Sequence, residues 1–430
     1  MNFITQLSKI VITYLTKINF AIILLLVIAV SSLLGTIIEQ DQSIEFYKAN
    51  YNQIILFNIS IWRIIQLLGI DHVYKTLWFI LLIILLIISL TLCSLKTQFP
   101  ALRLAKIVKF RAKSYQYGNM ARNIYQIELQ MSTLIYRLSK QRYQTIQQGY
   151  SSYSYQGIIG KISPIIVHIS LVIILCGAIL GSLTSFVAQE MVPKGEIAHV
   201  QNIIDSGILS NISQKFSLRI NDFSIAYYEN GEVSQFYTNL SLLNNYSEKL
   251  SNRIISVNHP LKYRGTTIYQ TDWDLSAIRV TFNGHDTYEF PLNKVKTRES
   301  TIWVASLPTS PEENLSIVIP STINSYYIYD KEGKLVQTAK PQELISIRNK
   351  YFKILEYIPS TGLQVKADPG IPLVYFGFLL LMISLITTYL SYNQVWSNQT
   401  YFTLNLSGEN NRAKLQSQTQ FNQMTETEIL

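Results

Sequence analysis

The sequence predicts a membrane protein with four transmembrane α-helices and a large, mainly β extracytoplasmic domain between helices three and four. Three observations predict it. Uncharged apolar runs long enough to cross a bilayer occur four times. Lysine and arginine concentrate in one loop. The stretch between the third and fourth runs alternates like β-strands. The 430 residues are 48% hydrophobic and 15% charged. That balance is too apolar for an ordinary soluble enzyme and too polar for a helical bundle alone, so the two characters must be segregated along the chain.

The spans follow in order. Residues 1–17 form an N-terminal segment carrying Lys9 and Lys17. Residues 18–38 are 21 positions without a charge, against the ~20 that a bilayer core needs at ~1.5 Å per residue. The run is too long for a signal-peptide core and lacks a small-residue cleavage site, so it is expected to be a retained anchor. Residues 76–95 form a second run, with Trp78 at its start as an interfacial aromatic. Residues 162–184 form a third, interrupted only by His168, and Pro164 suits the first turn of its helix. Residues 370–390 form the fourth, with Trp396 just beyond.

Charge orients these spans. Residues 96–161 hold eleven basic side chains and one acid, Glu128, whereas 185–368 is near neutral. Nearly all of the +9 net charge therefore lies in one loop. By the positive-inside rule this loop faces the cytoplasm, or the stroma of a plastid. The loop at 39–75 and the domain at 185–368 then lie on the lumenal side, and both termini on the stromal side. The segment 96–113 follows a span directly and should meet anionic lipid headgroups, so membrane lipids rather than nucleic acid are the partner of this charge. The last residues, 391–430, are rich in Gln, Asn, Ser and Thr and are expected to be a disordered tail. The bias toward Ile, Asn, Gln and Tyr fits an AT-rich, organelle-type genome. No Arg-rich transit segment opens the chain, so a plastid-encoded or bacterial origin is expected.

Within the translocated region, residues 216–228 (FSLRINDFSIAYY) partly alternate and lead into a turn at 229–232. Residues 326–338 repeat the design around the turn at 331–334. These signals predict a β-sandwich or barrel-like domain. No nucleophile elbow or H-E-x-x-H motif occurs in it. His199, His259 and His285 read as ordinary surface or satisfied residues, and Pro260 marks a turn at His259. The domain is expected to bind or dock rather than to catalyse. Cys93 and Cys176 are the only cysteines. Without C-x-x-C, dithiol chemistry and a zinc ribbon are not expected, and without C-x-x-C-H no covalent c-type haem is expected on the chain itself.

His168 stands out, because apart from the two thiols and the phenols of Tyr375 and Tyr389 it is the only titratable side chain inside a span. Such groups face a partner or a cavity. Counted from Pro164, it lies ~6 Å along the helix axis, just inside the basic face of the membrane. Its residues leave four roles open: a bond to another helix, a proton relay, a metal ligand, or an axial ligand to haem iron.

Several segments, in order and at matching spacing, are similar to one family. They are residues 31–40 (SSLLGTIIEQ), 66–74 (QLLGIDHVY) followed by Trp78 and Phe79, and Cys93, Ser94 and Pro100 at the end of the second run. The third span 163–182 (SPIIVHISLVIILCGAILGS), 189–196 (QEMVPKGE), 257–273 (VNHPLKYRGTTIYQTDW) and 368–396 complete the set. Over about residues 15–396 the chain resembles the ResB-type cytochrome c biogenesis proteins, which include a plastid form. The resemblance puts the family's membrane histidine on His168 and implies haem as the non-covalent cofactor it handles. It implies a CcsA-type membrane partner with a tryptophan-rich haem-handling segment. It further implies apocytochromes c, cytochrome f and soluble c-type proteins among them, as clients. The pair resembles a haem exporter and c-type cytochrome synthase in the thylakoid membrane, or in the inner membrane of a bacterium. This chain would be the accessory subunit and no enzyme alone. A second implied reading is a haem-independent, membrane-anchored scaffold for apocytochrome. Two positions depart from the family pattern. Tyr392 stands where many members have a histidine ahead of Trp396, and Glu39-Gln40 stands in place of Pro-Gln.

Overall fold

The computed structural model describes residues 2–425 except 52–54, 57–58, 109, 111–119, 126–129, 212–215, 229–232, 245, 283–285, 297–300, 311–312, 321–324, 348–349, 402 and 413. The chain divides into two compact units, Met1–Ser182 with Pro369–Leu430, and Leu183–Asp368.

In the first unit four helices are long and apolar enough to cross a membrane: Ile18–Ile37, Leu77–Arg103, Ile159–Thr184 and Ile371–Thr388. They lie on the four uncharged runs, with two differences in extent. The second runs on past residue 95. Its α-helix Leu77–Cys93 opens into a π-turn, Ser94–Gln98, before α-geometry resumes at Phe99–Lys106. Pro100 explains the widening. It has no N–H for the carbonyl of Lys96, and its ring would collide with that carbonyl in a regular helix. The Phe99 N–H reaches back five residues to the Ser94 carbonyl instead. The third helix starts at Ile159, so Pro164 is inside it rather than in its first turn. His168 is therefore nine residues, ~13 Å, from the helix start.

The third and fourth spans pack through small residues spaced by seven. Ser163, Ser170 and Gly177 form one stripe, and Gly370, Gly377 and Ser384 the other. A Cβ at Gly377 would come within 3.1 Å of the Ser170 carbonyl, and one at Gly177 within 3.1 Å of the Gly370 carbonyl. Ser163 Oγ donates to Thr387 Oγ1 at 2.8 Å. Between helices in lipid, where burial of apolar surface drives little, such close backbone approach is a main source of attraction.

Antiparallel packing of these two spans brings their flanking strands together. A five-stranded sheet has the order Met120–Tyr125, Thr403–Asn410, Asn393–Gln399, Ser151–Gln156, Gln144–Gln148, and Asn393 pairs with Gln156. The expectation of a disordered tail at 391–430 therefore fails over its described residues, which form two strands and a helix. The composition is polar, but ladder hydrogen bonds come from the backbone, and Val395, Leu404, Leu406 and Phe421 bury with Leu134 and Leu138 of Met131–Lys140. Trp396, just beyond the fourth span, belongs to this sheet. It is buried in this sheet, 5.8 Å from the Tyr153 ring.

The second unit is β-structure, as the alternation predicts, but with two cores. Strands Thr266–Phe282 and Lys350–Ala367 pair along almost their whole length. At ~3.3 Å per residue this ribbon is over 50 Å long. One end, with Ile268, Leu363 and Val365, packs on the four-stranded sheet containing Ser217–Tyr227 and Val233–Leu243. The other end, with Ile278, Val280 and Ile354, packs on the five-stranded sheet containing Thr301–Ser310 and Glu313–Pro320. Each fully buried aliphatic side chain contributes ~1.5–3 kcal/mol. The turn expected at 229–232 lies outside the described residues, while Asp330 caps the one at 331–334 by accepting from the Glu332 and Lys334 amides.

Candidate functional site

The π-turn of the second span and the third span meet at His168. Ser94, the first residue of the π-turn, is buried, and its Oγ lies 3.1 Å from His168 Nδ1. The same hydroxyl donates to the Leu90 carbonyl at 3.0 Å. A serine hydroxyl has one proton. With that proton on Leu90, Oγ accepts from Nδ1–H, and Nε2 is the ring nitrogen left for another partner. This is the arrangement that orients histidine for a metal: one ring nitrogen anchored, the other presented.

Nε2 belongs to a half-buried ring beside a cleft of about 190 Å³ walled by Leu95, Phe99, Ile169, Val172 and Ile173. Lys96 follows the wall on the termini side, and its Nζ donates to Thr13 Oγ1 at 3.3 Å. Among the described residues no three His, Cys, Asp or Glu side chains gather as a metal cage. One imidazole in an apolar cleft suits a metal whose remaining positions another chelator already fills.

The other singled-out residues stand apart from this site. His199 and His259 are exposed. His259 closes a tight turn in which its N–H donates to the Ser256 carbonyl at 3.0 Å and Asn258 has φ 68°, as Pro260 predicts. His285 is outside the described residues. Cys93 and Cys176 are free thiols in different spans. Tyr392 is buried in the five-stranded sheet, where its hydroxyl meets Tyr153 Oη at 3.2 Å and receives Gln394 Nε2 at 3.0 Å. Burial pushes its phenol pKa up. It lines no part of the His168 cleft.

Sequence reasoning placed His168 but not its partner. Ser94 was visible only as part of a similar segment; Pro100, six residues on, is the signal for the π-turn that aims it.

Comparison with known proteins gives the following. A sequence model of the ResB-like family matches residues 18–319 and 300–422. The chain is 40% identical over 417 residues to "Cytochrome c biogenesis protein Ccs1" of Rhodomonas salina, covering 95% of each chain. It is 41% identical over 408 residues to "Cytochrome c biogenesis protein CcsB" of Trichormus variabilis, covering 93% of this chain and 88% of that one. It is 40% identical over 412 residues to the Ccs1 protein of Thalassiosira pseudonana, covering 95% and 97%.

Proposed function

The chain belongs to the ResB-like family, and on that premise we propose that it acts in c-type cytochrome biogenesis by presenting His168 Nε2 as an axial ligand to haem. The observation that carries the reading is the Ser94–His168 pair. With the serine proton on the Leu90 carbonyl, it favours the tautomer that presents Nε2. The relatives' names supply the pathway, and the cleft supplies the chemistry. Haem is flat and apolar, its iron already has four nitrogens, and neutral imidazole is a common axial ligand.

The cleft is smaller than the ~300–1,000 Å³ of a typical ligand pocket. It accommodates one edge of a macrocycle among the described residues, and on this reading a partner covers the rest. A CcsA-type membrane protein is the partner we assign to that role, and apocytochromes c are the clients. The relatives come from plastid-bearing and cyanobacterial species, and a thylakoid membrane with both termini stromal fits the charge distribution. When bound, haem would be the group whose vinyls receive apocytochrome thiols. This chain's residues orient and shield it, and none supplies the thioether chemistry.

The test is an absorption spectrum of the protein purified with its membrane partner. His168→Ala is expected to lower copurifying haem and covalent c-type cytochrome, with partial recovery on adding imidazole. Unchanged haem and unchanged cytochrome overturn the assignment. Normal haem loading with cytochrome assembly lost on removing residues 190–368 favours the haem-independent scaffold.

A further inference from the structure

The second unit carries an apolar tip that stands exposed among the described residues. Directly after the third span, the chain runs out along Phe186–Pro193 and returns along Ile203–Ser206, which pairs with it. The turn that follows exposes two large aliphatic side chains side by side, Ile208 at 72% and Leu209 at 66% of their surface. Neighbouring Ile203 and Ile204 are also exposed. Residues 206–211 (SGILSN) carry no charge. Single exposed aliphatics are ordinary on a protein surface, but four within residues 203–209, with Asp205 the one charge among them, are not.

The position of the tip says what covers it. Leu209 N–H donates to the Leu183 carbonyl at 2.8 Å, and Gly207 N–H to the Ser185 carbonyl at 2.9 Å. Leu183 is in the last turn of the span Ile159–Thr184. At ~1.5 Å per residue a 26-residue helix is ~39 Å long, which covers the ~30 Å hydrocarbon core and reaches the headgroup layer. A backbone hydrogen bond to its last turn holds the tip in that layer. Ser210 N–H donates to the Gly207 carbonyl at 3.0 Å and closes the turn, so the two side chains project from a fixed hairpin end.

We infer that the Ile208–Leu209 tip is a bilayer anchor that inserts into the lipid interface where the third span emerges. The occupant is the lipid surface itself. The inference is independent of haem and of the role of His168.

Depth-dependent quenching tests it. The full-length chain with Cys93→Ser and Cys176→Ala has no other cysteine. Leu209→Cys and, separately, Ile208→Cys are labelled with an environment-sensitive fluorophore in nanodiscs containing lipids spin-labelled near the headgroup. Tyr246→Cys, on a loop of the same unit at 85% exposure, is the reference. The 208 and 209 probes are expected to emit at shorter wavelength and to be quenched at least threefold more than the 246 probe. Equal emission and quenching at the three sites overturns the anchor. So does a blue shift at 208 and 209 that appears only when a protein partner is added, because the covering surface is then protein.

Discussion

Ser94→Ala is the substitution that most directly probes how His168 is set up. It deletes the one acceptor that holds the Nδ1 proton, 3.1 Å away, and leaves the imidazole and the cleft walls in place. A net hydrogen bond is worth ~1 kcal/mol, and ~1.4 kcal/mol is tenfold in affinity, so the bond alone predicts about fivefold weaker haem binding. Outer partners of metal-bound histidines typically count for ~10–100-fold, because the freed ring also populates the wrong tautomer and rotates. The expected loss is therefore about five- to tenfold, short of that for His168→Ala. The assay is haem titration at the Soret band on the protein with its membrane partner. Ser89→Ala is the control, since Ser89 lies on the same helix and its hydroxyl donates to the Leu15 carbonyl at 2.8 Å instead. Unchanged affinity in Ser94→Ala, beside a clear loss in His168→Ala, refutes the tautomer argument and leaves His168 a ligand positioned by other means.

Three further outcomes follow from the packing. Gly377→Leu drives a side chain into the Ser170 and Ile174 backbone and should cost ~1–3 kcal/mol, read as a lower thermal midpoint in detergent than the exposed-site control Met382→Leu. An equal midpoint would mean that the two spans do not rely on this contact. Deleting residues 393–430 removes two strands and uncovers Leu134 and Leu138. Tryptic cleavage after Arg137, Lys140 and Arg142 should then quicken about tenfold, the equivalent of ~1.4 kcal/mol of local opening; unchanged cleavage would show that the segment stands without the tail. In the second unit, burial pushes the Tyr357 phenol up to about 12 and the Tyr326 phenol up as well, and neither hydroxyl has a hydrogen-bond partner among the described residues. Because the fold favours the neutral phenols, their stabilising effect is complete below pH ~10, the unfolded value, and is lost as pH rises toward 12. Alkaline unfolding followed by tryptophan fluorescence should shift to higher pH in Tyr357→Phe, and an identical profile would refute this.

How much of this was legible in the sequence depends on how local each cause is. A bilayer core imposes a length on every span, so the four apolar runs declared themselves. Alternation and turn residues announced strands in 185–368, because side chains of a half-buried strand must alternate. They did not reveal two cores, since alternation along Thr266–Phe282 is the same whichever sheet covers it; bulges at 270/272, 275/277 and 279/280 shift the register on the way. The tail was misread because its partners lie far away in sequence: Asn393 pairs with Gln156. Composition records side-chain hydrophobicity and misses that pairing. Pro164 was misread for a related reason. A first-turn proline is the common case, but the Gly157 turn ahead of it starts the helix at Ile159. The seven-residue stripes were present in the sequence throughout, and only their antiparallel match gives them meaning.

Those stripes also explain why the second span, and not the fourth, frames the candidate site. At ~100° per residue, His168 is turned about 140° from Ser163 and about 160° from Ser170. The small residues commit one face of the third span to the fourth span, and His168 is thereby committed to nearly the opposite face, where Ser94 meets it. Any group carried by the fourth span or the strand after it is screened from that imidazole by the body of the helix. Tyr392 illustrates this, being tied to Tyr153 and Gln394 in the sheet beyond the spans. A tyrosine can thus replace a histidine there without touching the His168 side of the helix. Apart from His168, the described lining of the cleft is Thr91, Ser94 and apolar side chains, so under the proposed haem role any second ligand would come from outside that lining.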